Sequence, residues 1–134
     1  MSGEGFVLDT SALLAFMTGE KGSDAVERIL LARGNRLFIP WAVLFEVYYV
    51  TKRRRGEKEA DRRLILIKEL PASILWQMQE PDVLTAARIK AQFRISFADS
   101  IIAATASRLD AILVHKDPEY ECLSGMIKLR SLLS

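Results

Sequence analysis

The chain contains very little of the two residues on which many small metal and redox sites depend. Its 134 residues include one cysteine, Cys122, and one histidine, His115. A single cysteine excludes an intramolecular disulfide framework and is typical of proteins kept in a reducing, intracellular compartment. The same shortage leaves no set of Cys and His ligands for zinc. Cys122 also has no second cysteine with which to form a site.

Long hydrophobic runs are missing as well. No apolar stretch approaches ~18 residues, the length that a membrane-spanning helix requires. The N-terminus lacks the basic and apolar segments of a secretory signal, so we expect a cytoplasmic protein that does not enter a membrane. Hydrophobic residues nevertheless make up 50% of the chain. That share excludes disorder and lets residues 1–134 bury a core as a single domain.

Motifs of several common enzyme and signalling classes are absent. No glycine-rich loop follows the first apolar run, which excludes a dinucleotide-binding fold. A haloacid-dehalogenase-like phosphatase needs a second Asp two residues after the first, where this chain has Ser11 after Asp9. A phospho-receiver domain needs a lysine after its last strand, in a different arrangement, and has no place for Glu46 within an apolar helix.

The net charge of +2 is too small to identify a partner. Basic residues nevertheless concentrate in segment 52–63, where seven Lys and Arg outnumber three Asp and Glu. This basic segment opens with Lys52, Arg53, Arg54 and Arg55. One interpretation is that these residues attract a polyanion such as RNA. The other is that they complement the C-terminal end of a helix before Gly56, on a solvated face.

Short apolar runs alternate with longer segments of helical periodicity along the chain. Strands are predicted at 6–8, 37–39, 74–76, 111–114 and 127–129. Helices are predicted at 11–16, 23–32, 40–55, 57–70, 81–93 and 97–109. Thr10 or Ser11 is expected to cap the first helix, and Ser23 or Asp24 the second. The alternation predicts an α/β fold with a central parallel sheet of four to five strands flanked by helices.

Four acidic residues occupy positions at which such a fold would bring them together. Asp9 follows the first strand, Asp117 follows the fourth, and Asp99 lies at the start of the last long helix. In open parallel sheets, ligands bind at the carboxyl edge of the strands. Glu46 lies in the second turn of the helix after the second strand, where its apolar neighbours are expected to leave it little solvent. Such charges cost several kcal/mol unless they are paired or bound to a cation.

Oxygen ligands without cysteine or histidine select hard cations, so the acids predict a Mg²⁺ or Mn²⁺ site. Such ions activate water and neutralise the charge of a scissile phosphate, which indicates phosphodiester hydrolysis. Three of the four acids also have an ordinary structural interpretation, and Glu46 is the hardest to explain in that way. Asp9 would cap a helix, Asp99 would interact with a helix dipole, and Asp117 before Pro118 would begin a turn.

Two further features allow both a functional and a structural interpretation. His115, next to the fourth acid, would accept a proton, touch a metal-bound water or contact phosphate, or it merely ends a strand. Several aromatic residues could stack on bases, although their spacing favours core or dimer contacts. They are Trp41, Phe45, Tyr48, Tyr49 and Trp76.

Four blocks in order resemble the PIN-domain nucleases, and most closely the VapC-type toxins of prokaryotic toxin–antitoxin pairs. They are Phe6–Leu14, Ile39–Pro40 with Glu46–Tyr49, Ser96–Ala106 and Lys116–Glu121. Together they extend over nearly the whole chain. The resemblance implies a three-layer PIN-like fold and an acidic pocket for Mg²⁺ or Mn²⁺. It also implies endoribonuclease activity, a homodimer and inhibition by a cognate antitoxin.

The resemblance assigns a metal-site role to Asp9, Glu46, Asp99 and Asp117, and an auxiliary polar role to Ser11. The helical faces at 41–50 and 64–70 are candidates for the dimer interface. One departure concerns His115, which stands where the family usually has Thr or Ser. The alternative function is a non-catalytic PIN-like module that binds RNA or a protein partner through the basic segment.

Overall fold

The computed structural model describes residues 3–133. Over these residues the chain forms a sheet of five parallel strands. They are β1 (Gly5–Leu8), β2 (Arg36–Pro40), β3 (Ser73–Leu75), β4 (Ile112–His115) and β5 (Leu129–Ser131). Their order in the sheet is β3-β2-β1-β4-β5. The predicted parallel α/β fold is confirmed.

Helices flank the sheet and connect its strands. They are α1 (Thr10–Thr18), α2 (Ser23–Leu31), α3 (Trp41–Arg55), α4 (Glu57–Glu69), α5 (Glu80–Gln92) and α6 (Phe97–Leu109). A short 3₁₀ helix (Pro118–Leu123) lies between β4 and β5. Neighbouring helices pack in pairs, α1 with α2, α3 with α4 and α5 with α6. No helix within residues 3–133 is long and apolar enough to cross a membrane.

The centre of the sheet is the centre of the core. All four residues of β1 are buried, and Val7 and Leu8 are completely inaccessible to solvent. Val7 is paired in register with Phe38 of β2 and with Leu113 of β4. A strand that is apolar on both faces needs cover on both sides, which explains the continuous apolar run in this part of the sequence.

The strand order places a crevice at the carboxyl edge of β1. From β1 the chain adds β2 and then β3 on one side, and later adds β4 and β5 on the other. The two connections therefore leave β1 and β4 in opposite directions, and such a switch point is where α/β sheets bind ligands. Asp9 follows β1 and Asp117 lies two residues beyond β4, so both reach this crevice.

Several boundaries differ from those expected from sequence. The N-cap of α1 is Asp9 rather than Thr10 or Ser11, because Asp9 is extended and its side chain accepts the Ala12 N–H. The N-cap of α2 is Gly22, whose φ of 99° only glycine adopts easily, and it offers no side chain to cap the helix.

Three strands are also displaced from their expected positions, among them β4, which lies at Ile112–His115 instead of 111–114. The structure places β3 at Ser73–Leu75 instead of 74–76, which leaves Trp76 exposed. It places β5 at Leu129–Ser131 instead of 127–129. Ile127 is buried without being in the strand, because its N–H bonds to Leu123 in the preceding turn. Apolar patterns in such short segments report burial rather than strand pairing.

Candidate active site

Asp9 directly follows β1 at the carboxyl edge of the sheet and is 2% exposed. One carboxylate oxygen accepts the backbone N–H of Ala12 at 2.8 Å. The Ser11 hydroxyl also donates to this carboxylate, at 2.8 Å. Burial raises the pKa of Asp9 to about 7, although both hydrogen bonds oppose that shift. The capping role does not consume the whole carboxylate, since it has about four acceptor positions.

Ser11 joins the two sides of the crevice. Its hydroxyl donates to Asp9 and accepts the backbone N–H of Lys116 at 2.8 Å. Lys116 belongs to the segment that follows β4 and carries Asp117. Ser11 thus fixes the separation between the end of β1 and the loop beyond β4.

Glu46 reaches the same crevice from the second turn of α3. It accepts a hydrogen bond from the hydroxyl of Thr10, the first residue of α1. Sequence reasoning considered Thr10 only as a helix cap, because the two residues are far apart in the chain. The expectation that Glu46 has little access to solvent was too strong. Its side chain is half-buried, since the adjacent Phe45 points outward and is 62% exposed.

The remaining acids form the tightest group. Asp99, Asp117 and Glu119 each place a potential ligand atom within 4.8 Å of the other two. Asp99 lies in the first turn of α6, whose N-cap is Ser96, and is 8% exposed. Asp117 caps the 3₁₀ helix by accepting the Glu119 N–H at 2.9 Å.

Glu119 is a site residue that sequence reasoning missed. It lies in the first turn of the 3₁₀ helix, two residues after Asp117. Its pKa is raised to about 7, first by the side-chain interaction with Asp99 and then by desolvation. The available signal was the spacing Asp117-Pro118-Glu119, because a proline that begins a tight turn keeps both acids on one side of the loop.

All five acids lie in one electrostatic field. The charges of Asp99 and Asp117 raise the pKa of Asp9, and they also add to the rise that burial causes in Glu46. Among residues 3–133, no Lys or Arg forms an ion pair with any of these acids. The donor set is carboxylate oxygen throughout, which is what hard divalent cations bind. The arrangement therefore fits a hard divalent cation.

Tyr120 and His115 lie beneath this cluster, and both are fully buried. The Tyr120 hydroxyl donates to Asp99 Oδ1 at 2.8 Å. The His115 ring packs against Tyr120, with centroids 5.1 Å apart, and its Nδ1 accepts the Asp117 N–H at 3.2 Å. Its Nε2 lies 3.2 Å from Glu121 without the alignment of a hydrogen bond. The buried ring has no access to a phosphate.

Burial also lowers the pKa of His115, so its imidazole is neutral at pH 7. Because Nδ1 accepts a hydrogen bond, the single ring proton is on Nε2. Burial raises the pKa of Tyr120 far above its usual range, so its hydroxyl remains a donor.

The basic segment lies away from the acids, at the other end of α3. Arg53 is about 10 Å along the helix axis from Glu46. Its guanidinium lies 5.2 Å from the centre of the Tyr49 ring, and Lys52 pairs with Glu57 at 2.9 Å. An open groove runs along this face of α3, lined by Phe45, Tyr48, Tyr49, Lys52 and Arg53.

A family model for the PIN domain matches residues 6–124. The chain belongs to the PIN domain family. The matched range includes all five acids, from Asp9 to Glu119, and the four sequence blocks that carried the resemblance. None of the curated protein sequences is a detectable relative of this PIN domain.

Solved structures of toxin–antitoxin systems share this fold. VapBC-1 from nontypeable Haemophilus influenzae has a TM-score of 0.77 at 18% identity, covering 97% of this chain and 99% of that one. VapBC2 from Rickettsia felis, bound to a promoter DNA fragment, has a TM-score of 0.76 at 18% identity, and the match covers 95% of this chain and 98% of that one. Mycobacterium tuberculosis VapC20, described as a sarcin–ricin loop cleaving toxin, has a TM-score of 0.71 at 15% identity, and the match covers 93% of this chain and 98% of that one.

Proposed function

We propose that this PIN domain is a metal-dependent endoribonuclease of the VapC toxin type, acting as a single domain. The observation that carries the proposal is the group of five carboxylates at the carboxyl edge of the sheet, with which no Lys or Arg of residues 3–133 forms an ion pair. Carboxylates held together in this way repel one another and retain protons, unless a cation replaces those protons.

Asp99, Asp117 and Glu119 would hold Mg²⁺ or Mn²⁺ together with Asp9 and Glu46, which are near enough to feel the charges of Asp99 and Asp117. Such an ion supplies an activated water and offsets charge on the scissile phosphate. Ser11 keeps Asp9 oriented towards the loop that carries Asp117. Thr10 restrains Glu46 in the same way. Both hydroxyl contacts are made before substrate arrives, so the acids need little rearrangement.

RNA is the substrate we propose, with three supports. The PIN family match extends over the whole site, VapC20 is described as a sarcin–ricin loop cleaving toxin, and the basic segment offers cations to a polyanion. For that segment we propose a role for Lys52, Arg53, Arg54 and Arg55 in binding the RNA backbone.

For partners we propose a cognate antitoxin and a second copy of this chain. Structures of the same fold include toxin–antitoxin complexes, which supports the first. The exposed aromatic face of α3, with Phe45 and Tyr49, supports an apolar contact with another copy. We propose the cytoplasm as the location, since the single cysteine agrees with a reducing compartment.

The test is cleavage of a labelled pool of cellular RNA by the purified chain in Mg²⁺, Mn²⁺ or EDTA. We expect discrete fragments that require metal and are lost in Asp99→Asn by at least about 100-fold. The matched control is Glu57→Gln, which removes an exposed acid that pairs with Lys52 and is not among the five acids of the site.

A non-catalytic binding module is the competing function, favoured by the groove of aromatic and basic residues on α3. Its outcome differs from that of the nuclease. A binding module would retain RNA in EDTA, would bind equally well as Asp9→Asn, and would produce no fragments with either metal. That combination would contradict the nuclease proposal.

A further inference from the structure

Tyr120 lies under the acid cluster without being one of the acids. Its side chain is completely buried, and its hydroxyl donates to Asp99 Oδ1 at 2.8 Å. A buried tyrosine hydroxyl needs a partner, but a backbone carbonyl would satisfy it as well. Here the partner is instead a carboxylate of the group that is placed to bind a cation.

A hydrogen bond to one oxygen has a specific consequence for Asp99. A free carboxylate on a helix turns about its terminal torsion, which is broad and only weakly restricted. The Tyr120 hydroxyl occupies one acceptor position of Asp99 and leaves the others available for a cation. It also disperses negative charge where Asp117 and Glu119 are close.

Tyr120 is itself held rigidly. Its ring packs against the His115 ring at 5.1 Å, with the two planes inclined at 57°. The Nδ1 of His115 accepts the backbone N–H of Asp117 at 3.2 Å. The two buried rings therefore connect Asp99 on α6 with Asp117 beyond β4, although these acids belong to different elements.

We propose that Tyr120 is a positioning residue for the metal site, fixing the Asp99 carboxylate through its hydroxyl while the His115 ring holds Tyr120 in place. The inference depends on the proposed metal-dependent function. Tyr120 touches neither substrate nor reacting atoms, and acts through Asp99. Partners of this kind, behind the ligands themselves, orient carboxylates and raise metal affinity.

The test compares Tyr120→Phe with Tyr48→Phe. Both substitutions remove one hydroxyl that donates to an Asp, since Tyr48 donates to Asp61 at 2.7 Å on the surface between α3 and α4. Mn²⁺ alone is titrated into the metal-free full chain, and free Mn²⁺ is measured by electron paramagnetic resonance. We expect Tyr120→Phe to weaken Mn²⁺ binding by about tenfold. Tyr48→Phe should bind Mn²⁺ like the wild type.

A second measurement separates positioning from simple stabilisation. In steady-state RNA cleavage at saturating metal, Tyr120→Phe should lower kcat and leave KM for RNA unchanged, because the RNA contacts are not altered. Thermal unfolding checks that the retained aromatic ring preserves the fold. Equal Mn²⁺ affinity in Tyr120→Phe and Tyr48→Phe would overturn the proposal.

The outcomes also distinguish this inference from the proposed function. A wild-type chain that binds Mn²⁺ but cuts no RNA contradicts the nuclease function. The comparison of Tyr120→Phe with Tyr48→Phe then still decides the positioning role. A wild-type chain that binds no Mn²⁺ overturns both the proposed metal-dependent function and the positioning role of Tyr120.

Discussion

The crevice beside β1 and the surface formed by α3 and α4 differ in whether their acidic side chains form ion pairs. On α4, Glu59 pairs with the exposed Arg62 and with the largely buried Arg63, and between the helices the exposed Lys52 pairs with Glu57. In the crevice, five acids stand together, and those hydrogen bonds that reach them come from hydroxyl and backbone donors. Exposed pairs contribute little to stability and are easily replaced. Unbalanced buried charge opposes folding, and it indicates a site at which a ligand completes the electrostatics.

The largest effect that would sharpen this contrast is expected for Glu119→Gln. The amide keeps the size of the side chain but removes one charge from the tightest group of acids. We expect Mn²⁺ affinity to fall by about tenfold or more, and RNA cleavage to fall with it. Isothermal titration of Mn²⁺ into the metal-free chain measures the first effect.

The matched control for Glu119→Gln is Glu57→Gln, which removes an exposed acid from the paired surface. It should change neither metal affinity nor cleavage. Equal losses in the two variants would mean that overall negative charge, rather than the crevice, governs metal binding.

An intermediate effect is expected from pH. The pKa of Asp9 in the folded chain is about 7, above the value near 3.9 of an unfolded chain. The folded state therefore binds this proton more tightly. Stability from this source is fully present below about pH 4 and is lost as pH rises through 7.

Metal reverses this trend because it displaces the proton. We expect the increase in Tm on adding Mg²⁺ to be larger at pH 8 than at pH 5.5. Differential scanning calorimetry with Mg²⁺ and with EDTA measures both trends. Asp9→Asn should flatten the pH dependence of the metal-free chain, and a slope that is unchanged in this variant would assign the titration to another group.

The smallest effect is expected on the paired and exposed surface. The double variant Arg54→Gln, Arg55→Gln should raise KM for RNA several-fold, reduce its dependence on salt and leave kcat unchanged. Stability should change by less than about 0.5 kcal/mol, since both side chains are exposed. Cleavage assays at salt concentrations from about 50 to about 200 mM measure KM, kcat and the dependence of KM on salt. If KM is unaltered at every salt concentration, Arg54 and Arg55 do not bind RNA and only complement the C-terminal end of α3.

Sequence was sufficient for the parallel α/β fold and for placing two acids just beyond strand ends, but it did not specify the strand order β3-β2-β1-β4-β5. Alternating strands and helices required a parallel sheet, and Asp9 and Asp117 followed directly from the ends of two strands. Glu119 and Tyr120 were not predicted, because a 3₁₀ turn of six residues has no periodicity that marks one face. The Thr10–Glu46 hydrogen bond joins residues 36 positions apart. Contacts of that kind depend on how helices pack, which local patterns do not specify.

The bridge made by Ser11 has a consequence for the order of events during synthesis. Its hydroxyl links Asp9 to the N–H of Lys116, a residue 105 positions later. While the ribosome is still adding α6, the emerging chain has neither this backbone donor nor the strand that borders β1 on that side. Asp117 and Glu119 are equally absent until that stage. A growing polypeptide therefore carries no assembled crevice until the residues that follow β4 have been added.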